Sequence, residues 1–288
     1  MTRSLAVGNN IREALVWAKQ QLASLDEAAG LEAQLLLAQA LAKDRTHILS
    51  HPEKRLSEPK RLTFGRAVER RVKGEPLAYI LGQRAFYDRE FLVTPATLIP
   101  RPETEIMLEA ALTSVSGAGS GVTLADVGTG CGALAICFAA LRPRARVWAS
   151  DVCEAAISVA QRNGIKSGVS VAWMQGNLLQ PYQERGIRLD RIMANLPYVP
   201  TEVLRRLEVS EFEPWLALDG GVDGLALIRR LLDQIADCLA PRGQAWLEIG
   251  ADQGAAVCAY VKDVLPLAEA DLLPDLVGHD RVLHLQMP

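Results

Sequence analysis

A chain of 288 residues exceeds the usual size of one domain, so two domains, each with a hydrophobic core, are expected. A formal net charge of −3 gives no basic field of the kind a dedicated duplex-binding protein carries, which leaves a folded protein or a small molecule as the expected partner and no direct nucleic acid. The five cysteines, Cys131, Cys137, Cys153, Cys238 and Cys258, show no C-x-x-C spacing and lie in apolar segments, which argues against a zinc site or a disulfide framework and for buried thiols in a reducing compartment.

Residues 1–5 carry no apolar h-region and no apolar run reaches membrane-spanning length, so a cytoplasmic chain without a membrane span is expected. Residues 10 to about 75 read as helices. Ile11, Ala14, Leu15, Ala18 and Leu22 share one helical face behind an Asn9 or Asn10 cap, and Leu31, Leu35, Ala38 and Leu41 share a second. A third helix after Ser57-Glu58-Pro59 places Phe64, Val68 and Val72 inward and Arg66, Arg70 and Lys73 outward. This helical domain is expected to span 1–80.

From Tyr79 to Thr94 the period shifts toward two, with Phe86-Tyr87 and Phe91-Leu92-Val93 flanking Asp88-Arg89, which predicts a β-hairpin connection over 81–97. A proline-stiffened turn, Leu98 to Glu105, then opens a helix over 106–112 and starts the second domain, 98–288. Residues 114–121 are small and read as a surface connection. Strands are predicted over 122–127, 145–150, 169–174, 190–195 and 244–249, and helices over 132–141, 153–163, 224–240 and 252–264. This alternation implies an α/β fold with a parallel sheet covered on both faces, closed by a C-terminal hairpin around Arg281 to Leu285.

The first strand ends in Ala125-Asp126-Val127-Gly128-Thr129-Gly130-Cys131-Gly132. Glycines let the backbone pass close to a ligand, and the N-terminus of the following helix offers free N–H groups. Asp151 ends the next strand, 23 residues after Gly128, where a carboxylate can accept both hydroxyls of a ribose. Gly128-x-Gly130-x-x-Ala133 also satisfies the dinucleotide fingerprint. Asp126 favours a cationic ligand, because a carboxylate there repels a pyrophosphate and suits the sulfonium and amino group of S-adenosylmethionine. The competing reading of Asp126 is a strand-end acid bonding loop amides.

Downstream, an apolar strand runs into Asn195-Leu196-Pro197-Tyr198. A planar amide or amine nitrogen presents two N–H donors and needs two fixed acceptors, here the Asn195 side-chain oxygen and a backbone carbonyl in the turn before Pro197. Tyr198 can stack on the planar group. No neighbouring residue is a dedicated base, so the inferred chemistry is in-line methyl transfer, with carbonyl dipoles stabilising the growing positive charge and the proton leaving afterward to water. Asn195, Pro197 and Tyr198 are the candidate catalytic set.

These motifs resemble the protein-glutamine N5-methyltransferase family that modifies peptide chain release factors. The resemblance covers nearly the whole chain and rests on Gly74 to Gly82, Phe86-Tyr87, Leu98 to Glu105, the glycine turn, Phe212-Glu213-Pro214, Gly220 to Leu225, and Asp280-Arg281-Val282. It implies a helical N-terminal domain that helps dock the release factor, a hairpin, and a seven-stranded methyltransferase sheet. It implies as substrate the glutamine of the Gly-Gly-Gln loop. Carried over by position, Asp126, Gly128, Thr129, Gly130, Cys131, Gly132, Asp151, Asn177, Leu178 and Asn195 would contact S-adenosylmethionine. Asn195, Leu196, Pro197 and Tyr198 would hold the glutamine amide, with Arg101 and Glu103 as further substrate contacts.

The chain departs from the family pattern at Leu196, where a second proline is usual, and at Asn177, where an acid is common. Leu196 keeps its carbonyl, and the freer backbone costs about 0.4 to 1 kcal/mol of preorganisation. Asn-Leu-Pro-Tyr also resembles the tetrapeptide of ribosomal RNA adenine dimethylases. Two alternatives therefore stand beside the first reading: an N6-adenine methyltransferase acting on RNA, and a non-catalytic cofactor-binding module. The N-terminal half, which resembles nothing in the dimethylases, weighs against the former.

Overall fold

The computed structural model describes residues 7–23, 28–115 and 121–288. The expectations for residues 1–5, and for most of the 114–121 connection, lie outside them. The chain forms two compact units, Met1–Gly82 and Gln83–Pro288.

The first unit is helical: α1 (Ile11–Leu22), α2 (Ala29–Leu41), α3 (Arg45–Ser50), α4 (Glu58–Val72) and α5 (Leu77–Leu81). Asn10 caps α1, its side-chain oxygen accepting the Glu13 N–H at 2.9 Å, while the Glu13 carboxylate accepts the Asn9 N–H at 2.8 Å. Ile11, Ala14, Ala18 and Leu22 pack with Leu36, Leu37, Ile48, Phe64 and Val68 in one core. In α2 the buried apolar residues are Ala29, Ala33, Leu36, Leu37, Ala38 and Ala40, whereas Leu31 is exposed and Leu35 and Leu41 are half-buried. The expected face is thus rotated, because α2 packs on both α1 and α4 and buries Glu32, which accepts from Arg71 of α4 at 2.9 and 3.1 Å. Val72, expected inward, lies in the last turn of α4 and is exposed. Tyr79 to Leu81 are helical rather than extended, and Gly82 ends that turn in the left-handed region at φ +71°.

The second unit opens with a hairpin, β1 (Gln83–Phe86) and β2 (Arg89–Leu92), followed by α6 (Thr104–Thr113). Strand β3 (Thr123–Val127), helix α7 (Ala133–Leu141), β4 (Arg146–Asp151), α8 (Glu154–Ser167), β5 (Ala172–Gln175), the short α9 (Gln180–Gln183), β6 (Leu189–Ala194) and the short α10 (Thr201–Leu204) come next. Helix α11 (Ala226–Cys238), β7 (Leu239–Glu248), α12 (Gly254–Val264), β8 (Glu269–Pro274) and β9 (Asp280–Gln286) complete it. The seven-stranded sheet has the order β5-β4-β3-β6-β7-β9-β8. Strands β3 to β7 are mutually parallel where they pair, and β8 and β9 join antiparallel at one edge, as a closing hairpin requires. Strand β7 starts at Leu239, within the stretch read as the end of a helix, because apolar Leu239 pairs with Leu189 in the sheet.

Among the described residues three side chains tie the hairpin to the rest of its unit: the Glu105 carboxylate accepts the Tyr87 N–H at 2.8 Å, Lys166 donates to the Glu90 carbonyl at 3.2 Å, and Asn163 bonds Leu92. Asn163 of α8 is buried, its oxygen accepting the Leu92 N–H at 2.7 Å and its amide donating to the carbonyls of Leu92 at 3.0 Å and Cys131 at 2.8 Å. The same amide therefore fixes β2 against the loop that carries the glycine turn. Asn163→Ala leaves three backbone groups, one buried and two part-buried, without their partner and should lower stability by about 3 kcal/mol, at roughly 1 kcal/mol for each bond lost. Urea denaturation measures this; a loss near zero would show that the tie is not structural.

Candidate active site

In a parallel sheet the register decides which loop residues face one another. Val127 pairs with Ser150 on one side and Ala194 on the other, and Ala194 pairs with Leu247. The chain therefore leaves four strands at one level, with Gly128, Asp151, Asn195 and Glu248 next in line. Asp151 pairs in turn with Gln175, which brings Gly176 and Asn177 to the same edge. Strand order reverses between β3 and β6, the point at which open α/β sheets form a ligand crevice. A cavity of about 360 Å³ lies there, its wall including Asp126, Gly128 to Cys131, Asp151, Asn177-Leu178 and Asn195 to Pro197.

The glycine turn is held by the neighbouring strand, since the N–H groups of Gly128 and Thr129 both donate to the Ser150 carbonyl at 2.9 Å. Gly128 has φ +75°, and a Cβ on it would lie 3.0 Å from Leu196 Cδ2, so the turn and the Asn-Leu-Pro segment interlock. The Gly130 N–H donates to Asp151 Oδ2 and the Cys153 N–H to Oδ1, each at 2.9 Å, which orients the carboxylate at the cavity wall. Gly132 serves a different purpose from the one expected. It lies outside the cavity wall, and a Cβ there would meet Ile136, Ala160 and Trp173 at 3.0–3.2 Å, so the glycine allows close helix packing.

Asp126 is buried. Its Oδ2 accepts from Thr129 Oγ1 at 2.6 Å and from the Ala135 N–H at 3.1 Å, whereas its Oδ1 has no hydrogen-bond partner among the described residues. Burial pushes its carboxyl up to about 6, against the opposing pull of those two hydrogen bonds. Burial raises Asp151 as well. Asp126 thus bonds the loop, as its competing reading held, while its second oxygen is buried without a partner among the described residues. Two carboxylates, an unsatisfied acceptor and apolar neighbours such as Leu134, Val152 and Leu178 make this cavity fit a cationic nucleoside and disfavour a pyrophosphate.

Asn195 is held from behind. Its Nδ2 donates to Thr104 Oγ1 at 3.0 Å and to Glu248 Oε2 at 2.9 Å; Thr104 Oγ1 donates to the same Oε2 at 2.6 Å, and the Tyr198 hydroxyl donates to Oε1 at 3.1 Å. Glu248 is buried, which raises its carboxyl, while the Thr104 and Tyr198 bonds and the charge of Arg281 act to lower it. Among the described residues no protein donor reaches Asn195 Oδ1 or the Leu196 carbonyl. Two acceptors on consecutive residues therefore remain available at the cavity wall.

The remaining candidates divide. Leu196 and Pro197 line the cavity, as do Asn177 and Leu178, the latter in the left-handed region at φ +51°. Tyr198 does not line it. Its ring packs on the core and its hydroxyl donates to Glu248. Arg101 and Glu103 also stand outside the wall. Arg101 instead pairs with buried Glu213, whose second oxygen accepts the Ile99 N–H at 3.0 Å, so this pair ties together two loops that border the cavity. Phe86, Thr104 and Glu248 are site residues that the sequence reading did not select. Thr104 stood inside a quoted motif, and Glu248 carried a usable signal as an acid at the end of an apolar strand. Among the described residues no cluster of three metal-ligating side chains occurs, and no helix is long and apolar enough to cross a membrane.

The PrmC N-terminal domain model matches residues 13–82, and the methyltransferase small domain model matches residues 104–210. The release factor glutamine methyltransferase of Moorella thermoacetica is 43% identical over 275 residues, covering 94% of this chain and 96% of its own. That of Bacillus subtilis is 36% identical over 280 residues, covering 95% of this chain and 96% of its own. Among solved structures, the Thermus thermophilus 16S rRNA N2 G1207 methyltransferase in complex with AdoMet and guanosine superposes with a TM-score of 0.52 at 15% identity, over 72% of this chain and 50% of that one. The human Mettl16 catalytic domain superposes with a TM-score of 0.53 at 14% identity, over 68% of this chain and 74% of that one. These two likenesses show the methyltransferase fold alone. Similarity running along nearly the full length of both chains decides the family: the chain belongs to the release factor glutamine methyltransferases.

Proposed function

We propose that this chain methylates the side-chain amide nitrogen, N5, of the glutamine in the Gly-Gly-Gln loop of a peptide chain release factor. The observation that carries the reading is the pair of acceptors, Asn195 Oδ1 and the Leu196 carbonyl, that no protein donor occupies among the described residues. A primary amide offers two coplanar N–H donors to such a pair. Its nitrogen is a poor nucleophile because its lone pair is delocalised into the carbonyl. Holding both N–H bonds aims that lone pair, and the two carbonyl dipoles stabilise the positive charge that grows on nitrogen during transfer. The surplus proton then leaves to water.

S-adenosylmethionine is the methyl donor and supplies a methyl group on a positively charged sulfur. Asp126 Oδ1 suits its ammonium group, Asp151 the ribose hydroxyls, and Asn177 with Leu178 the adenine; Gly128, Thr129, Gly130 and Cys131 line the path of its methionine part. The helical unit is assigned to docking the release factor, and the enzyme to the cytoplasm.

Incubation of release factor with the enzyme and S-adenosylmethionine should add one methyl, located by peptide mass analysis on the Gly-Gly-Gln glutamine. A Gln→Glu substrate, without the acceptor nitrogen, should gain none. Methylation of an adenine in ribosomal RNA with release factor untouched would overturn the reading.

Asn195→Ala removes one acceptor and Asn195→Asp replaces it with a charge that overholds the ground state. Both should lower kcat by about 100-fold or more, with the cofactor Kd little changed, as for loss of one oriented group at a reacting centre. Single-turnover rates and calorimetry separate the two quantities.

Ionised Asp126 favours a cation, and its carboxyl ionises as pH rises through about 6. Affinity for S-adenosylmethionine should therefore hold at pH 7 and weaken by about tenfold at pH 5, the ratio of ionised fractions for a group titrating midway between them. Asp151 titrates in the same direction, so Asp126→Asn isolates the contribution: this variant should bind weakly at both pH values and lose most of the slope. A flat wild-type profile between pH 5 and 7 would contradict the assignment of Asp126.

A further inference from the structure

We propose that Glu248 is a positioning residue for methyl transfer: through Thr104 and the Asn195 amide it fixes which face of that amide the substrate meets. This inference rests on Asn195 Oδ1 acting as an acceptor for the substrate amide.

An asparagine amide turned by 180° about its last bond has nearly the same shape, so hydrogen bonding alone selects the orientation. One orientation offers oxygen to the cavity and accepts from a substrate N–H. The other offers N–H groups to N–H groups and repels the substrate. An ionised carboxylate has only acceptors, so the atom of Asn195 that faces Glu248 Oε2 at 2.9 Å must be the nitrogen. Thr104 strengthens the selection. Its hydroxyl hydrogen is committed to Oε2 at 2.6 Å, which leaves its oxygen to accept the second contact from Asn195 Nδ2 at 3.0 Å. The flipped amide would set oxygen against both oxygens.

The other carboxylate oxygen extends the same control. Oε1 accepts from the Tyr198 hydroxyl, so one acid holds both ends of the Asn195-Leu196-Pro197-Tyr198 segment and, with them, the direction of the Leu196 carbonyl. From the far side, Gln253 donates to the Tyr198 carbonyl at 2.9 Å, which keeps the segment from rotating away. Stability alone gives little reason for an acid here, since apolar side chains of similar volume commonly replace buried ionic groups without loss. The register of β7 on β6, Leu247 beside Ala194, puts Glu248 level with Asn195 and supplies the reason.

The test uses the full chain. Glu248→Gln keeps the shape and brings a second amide, whose oxygen can accept from the Asn195 nitrogen and whose nitrogen can donate to the Asn195 oxygen, so that either orientation is satisfied. It should lower kcat on release factor by about 10- to 100-fold, in the range seen when a supporting partner of a site residue is removed. The Kd for S-adenosylmethionine should stay within about twofold in calorimetry, because every proposed cofactor contact other than Asn195 lies on, or directly after, β3, β4 and β5. Combined with Asn195→Ala, the Glu248→Gln change should cost far less than it does alone, since its main effect passes through that amide and the Gln oxygen can still accept from Tyr198. Thr104→Val should show a smaller kcat loss with the same non-additivity, and this second cycle decides the matter if Glu248→Gln fails to fold by circular dichroism. A readout free of substrate accompanies both. The Asn195 side-chain amide protons should be protected from solvent exchange in ¹⁵N–¹H spectra of the wild type and lose that protection in Glu248→Gln. Unchanged kcat, losses that multiply with Asn195→Ala, or amide protons indifferent to Glu248 would overturn the proposal. An inactive wild type with protected amide protons that respond to Glu248 would instead sink the proposed substrate and leave the positioning role standing.

Discussion

The in-step pairing of β3, β4, β6 and β7 is the constraint on which the site depends. The ends of these strands nearest the cavity are largely buried, and Val127, Ile192, Ala194 and Leu247 belong to one apolar cluster, so a slip of one residue would turn every side chain to the opposite face. The apolar core therefore sets the register, and the register sets the chemistry: the residue that follows each strand arrives at the same level as its neighbours. Gly128 is required where it is because the Leu196 side chain fills the space a Cβ would need. Packing of apolar atoms thus places polar atoms that have no packing role of their own.

Three acids stand along this edge, Asp126 and Glu248 buried and Asp151 half-buried, and their hydrogen-bond partners differ. Asp151 has one backbone N–H on each oxygen, which orients it and leaves lone pairs toward the cavity. Asp126 has two donors on one oxygen and none, among the described residues, on the other. Glu248 receives side-chain donors on both oxygens. Burial raises all three carboxyls, a cost that donors or a bound cation must offset. An acid with an open oxygen suits a ligand, whereas an acid satisfied on both sides acts on its donors. This contrast separates the cofactor side of the cavity from the support beneath Asn195.

Several residues of the motifs make contacts that frame the cavity. Tyr198 braces Glu248, Arg101 neutralises buried Glu213, and Gly132 makes room for Ala160 and Trp173. Leu196, where the family commonly has a second proline, is buried against Gly128, and among the described residues its N–H donates to no backbone carbonyl. The turn therefore needs no proline to leave the Leu196 carbonyl available.

Local order was legible in the chain itself. Apolar periodicity located the helices and strands to within a few residues, and glycine, proline and asparagine marked the turns, because these signals depend on neighbours close along the backbone. The Asp126 to Gly132 turn, Asp151 and Asn195 could be singled out for the same reason, each standing at the end of a recognisable strand. Three kinds of information lay beyond that reach. The buried stripe of α2 followed from packing against two other helices, which moved Leu31 outward and buried Glu32 against Arg71. The roles of Tyr198 and Arg101 depended on partners 50 and 112 residues away. The Thr104, Asn195 and Glu248 cluster joins three segments separated by 91 and 53 residues, and no local pattern encodes which strands will lie side by side or in what register. Backbone propensity acts over a few residues, whereas the direction of a side-chain amide is decided by whichever charged group the completed sheet brings within 3 Å of it.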